Sequence, residues 1–184
     1  MDRDDAIRYA QERALSIFER KPSAAISSAK ASGRLDEGLL CTVSSPELDV
    51  RMDLPKAFGG DGSAPTPGFF IRAGLIGCVA IGIKTTAARE GIPLESVDVD
   101  VEMDFDDRAL FGLGDNTAAP LETRLTVTLK SPAPWTVVEE MARRALAADT
   151  YYLAFRDAQR VNFTLVAKQT SREPRETRDS IAGP

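Results

Sequence analysis

The sequence predicts a protein of the α+β class, in which an antiparallel sheet wraps around one buried central helix. Residues 67–90 form a long helical segment that is apolar on almost every side, and such a helix is typically buried. Residues 94–106 and 122–130 alternate apolar and polar side chains, as half-buried strands do. Because no crossover helix connects these two strands, we expect them to pair antiparallel.

The composition excludes several classes of function. The 184 residues include no histidine, which rules out Ser-His-Asp triads, Cys-His pairs and histidine-bound zinc. A net charge of -5 gives no basic field for nucleic acid. Cys41 and Cys78 form no CxxC motif, which favours a reducing compartment. We therefore expect a cytoplasmic protein with no nucleic acid partner, no metal and no cofactor.

The N-terminal segment predicts an amphipathic helix. Residues 4–20 place apolar side chains at helical intervals after early acidic residues, and a Lys-Pro pair follows. We treat residues 1–21 as an N-terminal helical extension, and they lack the pattern of a signal peptide. Residues 69–83 are apolar but are interrupted by Arg72 and three glycines, so we expect no membrane span.

We expect residues 22–168 to form a single domain that begins with a β meander. Residues 24–31 and 37–44 are interpreted as two strands joined by a turn at 32–34. A third short strand is expected at 48–53. These strands precede a loop crowded with glycine and proline, whose special backbone conformations exclude regular structure.

The central helix has clear start signals. Thr66 is suited to the N-cap and Pro67 to the first helical position. No charged residue lies between Arg72 and Lys84, so a chain of this length has difficulty surrounding the helix by itself.

The last third of the chain predicts a second helix and a final strand. Residues 134–148 have a helical apolar face, and an irregular stretch with packing aromatics is expected around Tyr151 and Tyr152. Residues 160–168 are interpreted as the last strand, with apolar side chains directed inward. The composition of residues 169–184 is typical of a disordered tail.

The order of these elements resembles the OsmC/Ohr superfamily, the osmotically induced protein C and organic hydroperoxide resistance proteins. The most specific part is the loop GGDGSAPTP followed by the helix that carries Gly77 and Cys78, and the similarity continues through LESVDVDVEMD and DDRALFGLG. The resemblance implies an OsmC-like fold and an intertwined homodimer, in which two six-stranded sheets wrap paired central helices. It also implies that Cys78 reduces organic hydroperoxides with the help of an N-terminal arginine, for which Arg34 is the best candidate and Arg20 the alternative.

The sequence departs from the well-studied peroxidases of this superfamily at two positions. Gly68 occupies the place of the glutamate that follows the proline at the start of the central helix. Residues 148–151, where the resolving cysteine is expected, contain none. Cys41 lies on the apolar face of its strand, so we interpret it as a structural cysteine. A sulfenic acid at Cys78 would then need an external thiol reductant.

Reactivity of Cys78 requires a partner beyond its own helix. The helical positions next to Cys78 carry only apolar or neutral side chains. Our hypothesis is that an arginine lowers the thiol pKa, the thiolate attacks the O–O bond, and the cation stabilises the leaving alkoxide. Against it stand two structural explanations, a small residue at a helix crossing for Cys78 and a solvated turn residue for Arg34.

Two other functions compete with hydroperoxide reduction. One is a non-catalytic dimer that binds a small hydrophobic ligand in the apolar pocket expected around Cys78. The other is a purely structural or partner-binding dimer, with the N-terminal helix and the C-terminal tail as contacts.

Overall fold

The computed structural model describes residues 2–167 of the chain. The helices in this range are α1 (Arg3–Arg20), α2 (Pro67–Glu90), α3 (Trp135–Ala147) and α4 (Thr150–Arg156). The strands are β1 (Ser32–Arg34), β2 (Cys41–Ser44), β3 (Asp49–Met52), β4 (Ser96–Asp104) and β5 (Glu122–Lys130). The tail expected at 169–184 lies outside the described residues.

The strands form two antiparallel sheets. One sheet has three strands in the order β1-β2-β3. The other pairs β4 with β5 along their whole length, from Ser96 opposite Lys130 to Asp104 opposite Glu122. The α+β class and the antiparallel pairing of β4 and β5 are confirmed.

The core lies between the β4–β5 sheet and helices α2 and α3. Its buried side chains are Leu75, Val79, Ile83, Ala87, Leu94, Val138, Met141 and Ala145. The inward valine, leucine and methionine side chains of β4 and β5 pack against this cluster. Full burial of one such large aliphatic side chain contributes about 1.5–3 kcal/mol. One face of α2 is therefore fixed firmly against the sheet.

The outer face of the β4–β5 sheet is charged and exposed. The acidic residues that alternate along β4 point away from the core. Arg124 donates hydrogen bonds to the carboxylates of Glu102, Asp104 and Glu122. The hydrogen bond from Arg124 is the main reason that the pKa of Asp104 is lowered. This face meets solvent, as the alternating pattern predicts.

The ends of α2 agree with the sequence prediction to the residue. The Thr66 side chain accepts a hydrogen bond from the Phe69 amide, and Pro67 opens the helix. Gly91 ends it in the left-handed conformation, with φ 68°, which glycine adopts at little cost. Thr66 and Pro67 are thus confirmed as start signals.

The side of α2 away from the sheet is only partly covered within the described chain, because α1 packs against part of it. Phe69, Ile71 and Ile81 are exposed there. By length and composition α2 could cross a membrane, and core helices of soluble proteins pass the same test. The span of α2 is the one predicted for residues 67–90, and the expectation of no membrane span stays a prediction. These exposed apolar side chains are available for contact with another surface.

The loop before α2 is held by a buried carboxylate. Asp53, only 2% exposed, accepts hydrogen bonds from the backbone amides of Leu54 and Ser63 and from the Ser63 hydroxyl. The bond from the Ser63 amide is the largest reason that the pKa of Asp53 is lowered. Gly60 passes directly beside this arrangement, close to the Leu54 carbonyl. The loop therefore has a defined structure that positions the start of α2.

Helix α1 lies against α2. Lys84 of α2 donates hydrogen bonds to the Asp4 carboxylate at 2.9 Å and to the Leu94 carbonyl at 2.8 Å. Ile7 of α1 faces the same side of α2, near Ile81. These contacts join the N-terminal helix, the central helix and the chain just before β4.

The predicted N-terminal hairpin was wrong in position. Residues 24–31 form no strand, and residues 32–34, which were expected to turn, are β1. The chain turns instead around Gly38, whose φ of 70° suits glycine, and β2 starts only at Cys41. The strand expected at 48–53 is confirmed as β3.

Two predictions at the end of the domain were also wrong. The stretch around Tyr151 is not irregular, because α4 begins at Thr150 and the Asp149 carboxylate caps it. Residues 160–167 form no strand, and Val161, Phe163 and Leu165 are exposed rather than inward. A strand needs a neighbour to supply its hydrogen bonds, and the described chain offers none to this segment.

Candidate functional site

Cys78 lies near the middle of α2, at the edge of the core. Its neighbours Leu75 and Val79 are buried, while Cys78 itself is half-buried and faces a groove of about 560 Å³. We call this the Cys78 groove. Helices α1 and α2 and the corner between α3 and α4 form it, and its polar or small lining residues include Gln11, Gly74, Gly77, Gly82, Arg89, Asp149 and Tyr151.

Asp149 is the closest ionisable neighbour of Cys78 in the groove. It is 5% exposed, and one carboxylate oxygen accepts a hydrogen bond from the Tyr152 amide at 2.8 Å. The other oxygen lies 3.0 Å from the position that a Cβ would occupy at Gly82. Gly82 is one helical turn beyond Cys78, so the carboxylate enters the groove beside the thiol.

The surroundings of Cys78 keep its sulfur protonated. Burial raises the pKa of the thiol, and the Asp149 carboxylate raises it further, as hydrogen-bond acceptor and through its charge. The backbone N–H groups of Tyr151 and Thr150 act in the opposite direction. Within the described chain the net direction of the pKa is upward, so this environment favours the protonated thiol. This arrangement differs from the cation-activated thiolate of the sequence hypothesis.

The two arginines considered from the sequence lie elsewhere in the described chain. Arg34, in β1, is 81% exposed and donates hydrogen bonds to both Asp36 carboxylate oxygens at 2.8 Å. Arg20 donates to Ser16. Neither lines the Cys78 groove. The described residues of a single chain therefore do not bring Arg34 to Cys78, and its catalytic role stays a prediction.

A different arginine lies on the same face of α2 as Cys78. Arg89 lines the groove three turns beyond Cys78, about 16 Å away along the axis at 1.5 Å per residue. At that distance Arg89 is too far from the sulfur to act as its partner, so the expectation that α2 supplies no charge to Cys78 itself stands. Arg72 turns elsewhere, with a guanidinium nitrogen 3.4 Å from the Cβ position of Gly68.

Cys41 lies apart from the Cys78 groove. It belongs to β2, with its sulfur 3.7 Å from the Cβ position of Gly33. Both cysteines are free. The groove therefore contains one sulfur among the described residues, and the structural interpretation of Cys41 stays a prediction.

An apolar pocket continues from the groove. It has a volume of about 510 Å³ and shares Gly74 and Tyr151 with the groove. Its remaining lining residues are Met52, Pro67, Phe70, Ile71, Leu75 and Phe155. A ligand with an apolar body could occupy the pocket while its polar end lies near Cys78.

Three residues that line the groove were not predicted from the sequence, and only one of them could have been found from its spacing. Arg89 follows Cys78 by eleven positions, which returns a helix to nearly the same face, so periodicity could have found it. Asp149 lies in the groove because the chain turns from α3 into α4 there, and Gln11 because α1 packs against α2. The spacing of these residues from Cys78 in the sequence indicates neither position. Residues 2–167 contain no cluster of three or more acidic or cysteine side chains that could hold a metal ion.

Comparison with known proteins identifies relatives of this arrangement. The family model described as "OsmC-like protein" matches residues 60–164, which span the Gly/Pro loop, α2, the β4–β5 sheet, α3 and α4. No curated protein matches the sequence.

Solved structures share the fold at low sequence identity. An OsmC-like protein from Mycoplasma pneumoniae is 16% identical with a TM-score of 0.60, over 71% of this chain and 88% of that one. An organic hydroperoxide resistance protein from Legionella pneumophila is 20% identical with a TM-score of 0.50, over 71% and 90%. A putative one from Vibrio cholerae, with captopril bound in one of its active sites, is 19% identical with a TM-score of 0.50, over 71% and 85%.

Proposed function

This chain belongs to the OsmC-like protein family, and from that premise we propose that it reduces organic hydroperoxides at Cys78. The observation that carries the proposal is the position of Cys78, half-buried in a groove that shares Gly74 and Tyr151 with the apolar pocket. An apolar wall favours the organic part of an alkyl hydroperoxide over hydrogen peroxide. The Legionella and Vibrio proteins are themselves described as organic hydroperoxide resistance proteins.

The proposed reaction uses one cysteine per site. The sulfur of Cys78 forms a bond to the outer peroxide oxygen, the O–O bond breaks, and the thiol proton ends on the leaving alkoxide. Cys–SH and ROOH thereby become Cys–SOH and ROH. Because the groove contains no second sulfur among the described residues, two equivalents of an external thiol complete the cycle, leaving a disulfide and water. Such thiols are abundant in the cytoplasm, the compartment that the two free cysteines favour.

We propose that the working protein is an intertwined homodimer. One chain supplies a three-stranded sheet, a two-stranded sheet and an unpaired apolar segment at 160–167. Exchange of these parts between two copies would produce two six-stranded sheets and cover the exposed side of α2. The same exchange would allow Arg34 of one copy to approach Cys78 of the other.

The dimer has a direct test. We expect size-exclusion chromatography with light scattering to give twice the 19.9 kDa mass of the chain. Phe163→Asp places a charge on the proposed pairing segment and should shift the mass to that of a monomer. Phe111→Asp, an exposed aromatic in the loop between β4 and β5, is the control and should remain dimeric. A monomeric wild type would contradict the proposal.

The enzymatic step is tested by trapping the sulfenic acid. The reduced protein is exposed briefly to stoichiometric cumene hydroperoxide with dimedone present, and the intact mass is measured. We expect one dimedone adduct per chain, located at Cys78 by peptide mapping and absent from Cys78→Ser, whereas Cys41→Ser retains it. Absence of the adduct from a wild type whose Cys78 is shown to be reduced would count against the enzyme.

The alternative function is a non-catalytic dimer that binds a small hydrophobic ligand. The raised pKa of Cys78 and the carboxylate beside it favour this alternative, since a protonated thiol is a weak nucleophile. Native mass spectrometry of freshly purified protein would support this function if it detects a bound apolar ligand that is released when the protein unfolds. The two functions separate cleanly when this measurement is combined with the dimedone experiment.

A further inference from the structure

Asp149 is a buried ionisable group that the reaction above does not yet use. Its carboxylate has no salt bridge to a lysine or arginine in the described part of the chain. The groups that line the groove with it are the titratable Cys78 and Arg89 from α2, Tyr151 from α4, and the neutral Gln11 from α1. A buried carboxylate beside a thiol needs a physical explanation, because burial of a charge without a cation is costly.

The geometry of Asp149 is fixed on two sides. One carboxylate oxygen caps α4 through the Tyr152 amide, and this bond orients the side chain. The second oxygen fills the space that α2 leaves open at Gly82. Any side chain at position 82 would meet this oxygen at 3.0 Å, tighter than an ordinary contact. The second oxygen is therefore held on the face of α2 that carries Cys78.

The chemistry of a protonated cysteine creates a need for such a group. Attack on the peroxide forms the S–O bond, and the thiol must lose its proton as this happens. The leaving alkoxide forms in the groove that also holds the Asp149 carboxylate, where a second oxygen anion is very unfavourable. A carboxylate in the same groove, held one helical turn from the thiol at Gly82, can accept the proton and return it to the alkoxide.

We propose that Asp149 is the proton relay of Cys78. Its carboxylate holds the thiol proton in the resting protein, accepts it as the sulfur attacks, and donates it to the alkoxide. The sulfur loses two electrons and the peroxide gains them, so Cys–SH and ROOH give Cys–SOH and ROH with every proton accounted for. The inference rests on the proposed function and names a catalytic residue for it.

The test uses Asp149→Asn in a Cys41→Ser background. Asparagine is also a good N-cap, so α4 should remain folded. The first measurement is the pH profile of Cys78 alkylation by iodoacetamide, which requires only the thiolate. Removal of the negative charge should shift this profile to lower pH and raise the alkylation rate at pH 7. The second measurement is the single-turnover rate with cumene hydroperoxide, which should fall roughly 100-fold, within the range for positioned proton transfer.

Opposite changes in the two rates distinguish a relay from a structural role. If alkylation and peroxide reduction both become faster, Asp149 only suppresses the thiolate and the relay is wrong. If the alkylation profile does not move, Asp149 does not hold the thiol proton. Asp2→Asn, the same change at the N-cap of α1, is the matched control and should alter neither rate.

A second variant guards against misfolding of the first. Gly82→Ala leaves Asp149 in place but pushes its free oxygen away from α2, so it should change both rates in the same directions as Asp149→Asn. Unchanged rates in Gly82→Ala would overturn the assignment. If the wild-type protein reacts with no hydroperoxide, both the proposed function and the proton relay are wrong. If the wild-type protein reacts and Asp149→Asn reacts with hydroperoxide at the same rate, only the proton relay is wrong.

Discussion

Replacement of Gly60 by alanine is expected to destabilise the fold by about 3 kcal/mol, the upper end of the cost of overpacking. A Cβ at this position would lie 2.0 Å from the Leu54 carbonyl oxygen and 2.7 Å from an Asp53 carboxylate oxygen. The first of these atoms is backbone, so no rotamer change relieves the collision. The loop before α2 would have to open and lose the hydrogen bonds that Asp53 accepts from Ser63.

The measurement is urea unfolding followed by circular dichroism. Gly33→Ala is the matched control, because a Cβ there would make only ordinary contacts, at 3.6 Å with Val43 and 3.7 Å with Cys41. Neither glycine has a left-handed backbone, so the difference between the two variants isolates the collision. We expect the control to lie within about 1 kcal/mol of the wild type. Equal stability of the two variants would show that the loop is not packed as described.

Ile83→Ala is expected to cost about 2–5 kcal/mol, because it removes atoms from the centre of the core and leaves a cavity. Ile83 is 1% exposed and packs between α3 and the β4–β5 sheet. Its loss should also loosen the helix that carries Cys78. Differential scanning calorimetry should show a clearly lower Tm for this variant.

The control for this core substitution is Ile26→Ala. It is the same chemical change at a residue that is 83% exposed. Surface substitutions of this kind usually change stability by less than about 0.5 kcal/mol. A large loss at Ile26 would mean that a contact outside the described chain covers it, and a small loss at Ile83 would contradict the core.

The sequence was most informative where local signals were strong. The span of α2 followed from Thr66, Pro67 and an unbroken apolar run, and β4 and β5 followed from strict alternation. The N-terminal strands were misplaced because small and polar residues at 24–31 carry little strand preference, whereas the turn depends on the one backbone angle of Gly38. The segment at 160–167 has strand-like alternation, but alternation does not specify which neighbour provides the hydrogen bonds.

The candidate site could be predicted only in part. Cys78 was recognisable from the residues around it on α2. Its chemical environment was not, because Asp149 reaches Cys78 through the tertiary path of α3 and α4. The sequence hypothesis supplied a cation, whereas the described chain places a carboxylate in the same groove as the thiol. Asp149 also lies in the stretch where the resemblance led us to look for a second cysteine.

The charged outer face of the β4–β5 sheet and the apolar surface of α2 lie on opposite sides of the molecule. Arg124 and the carboxylates around it are well hydrated, and burying them would require giving up that hydration without a matching partner. A further layer of protein is therefore disfavoured on that side. In the proposed dimer we therefore expect contact on the opposite side, where part of the apolar surface of α2 is exposed, and such a closed pair would not continue into a chain of copies.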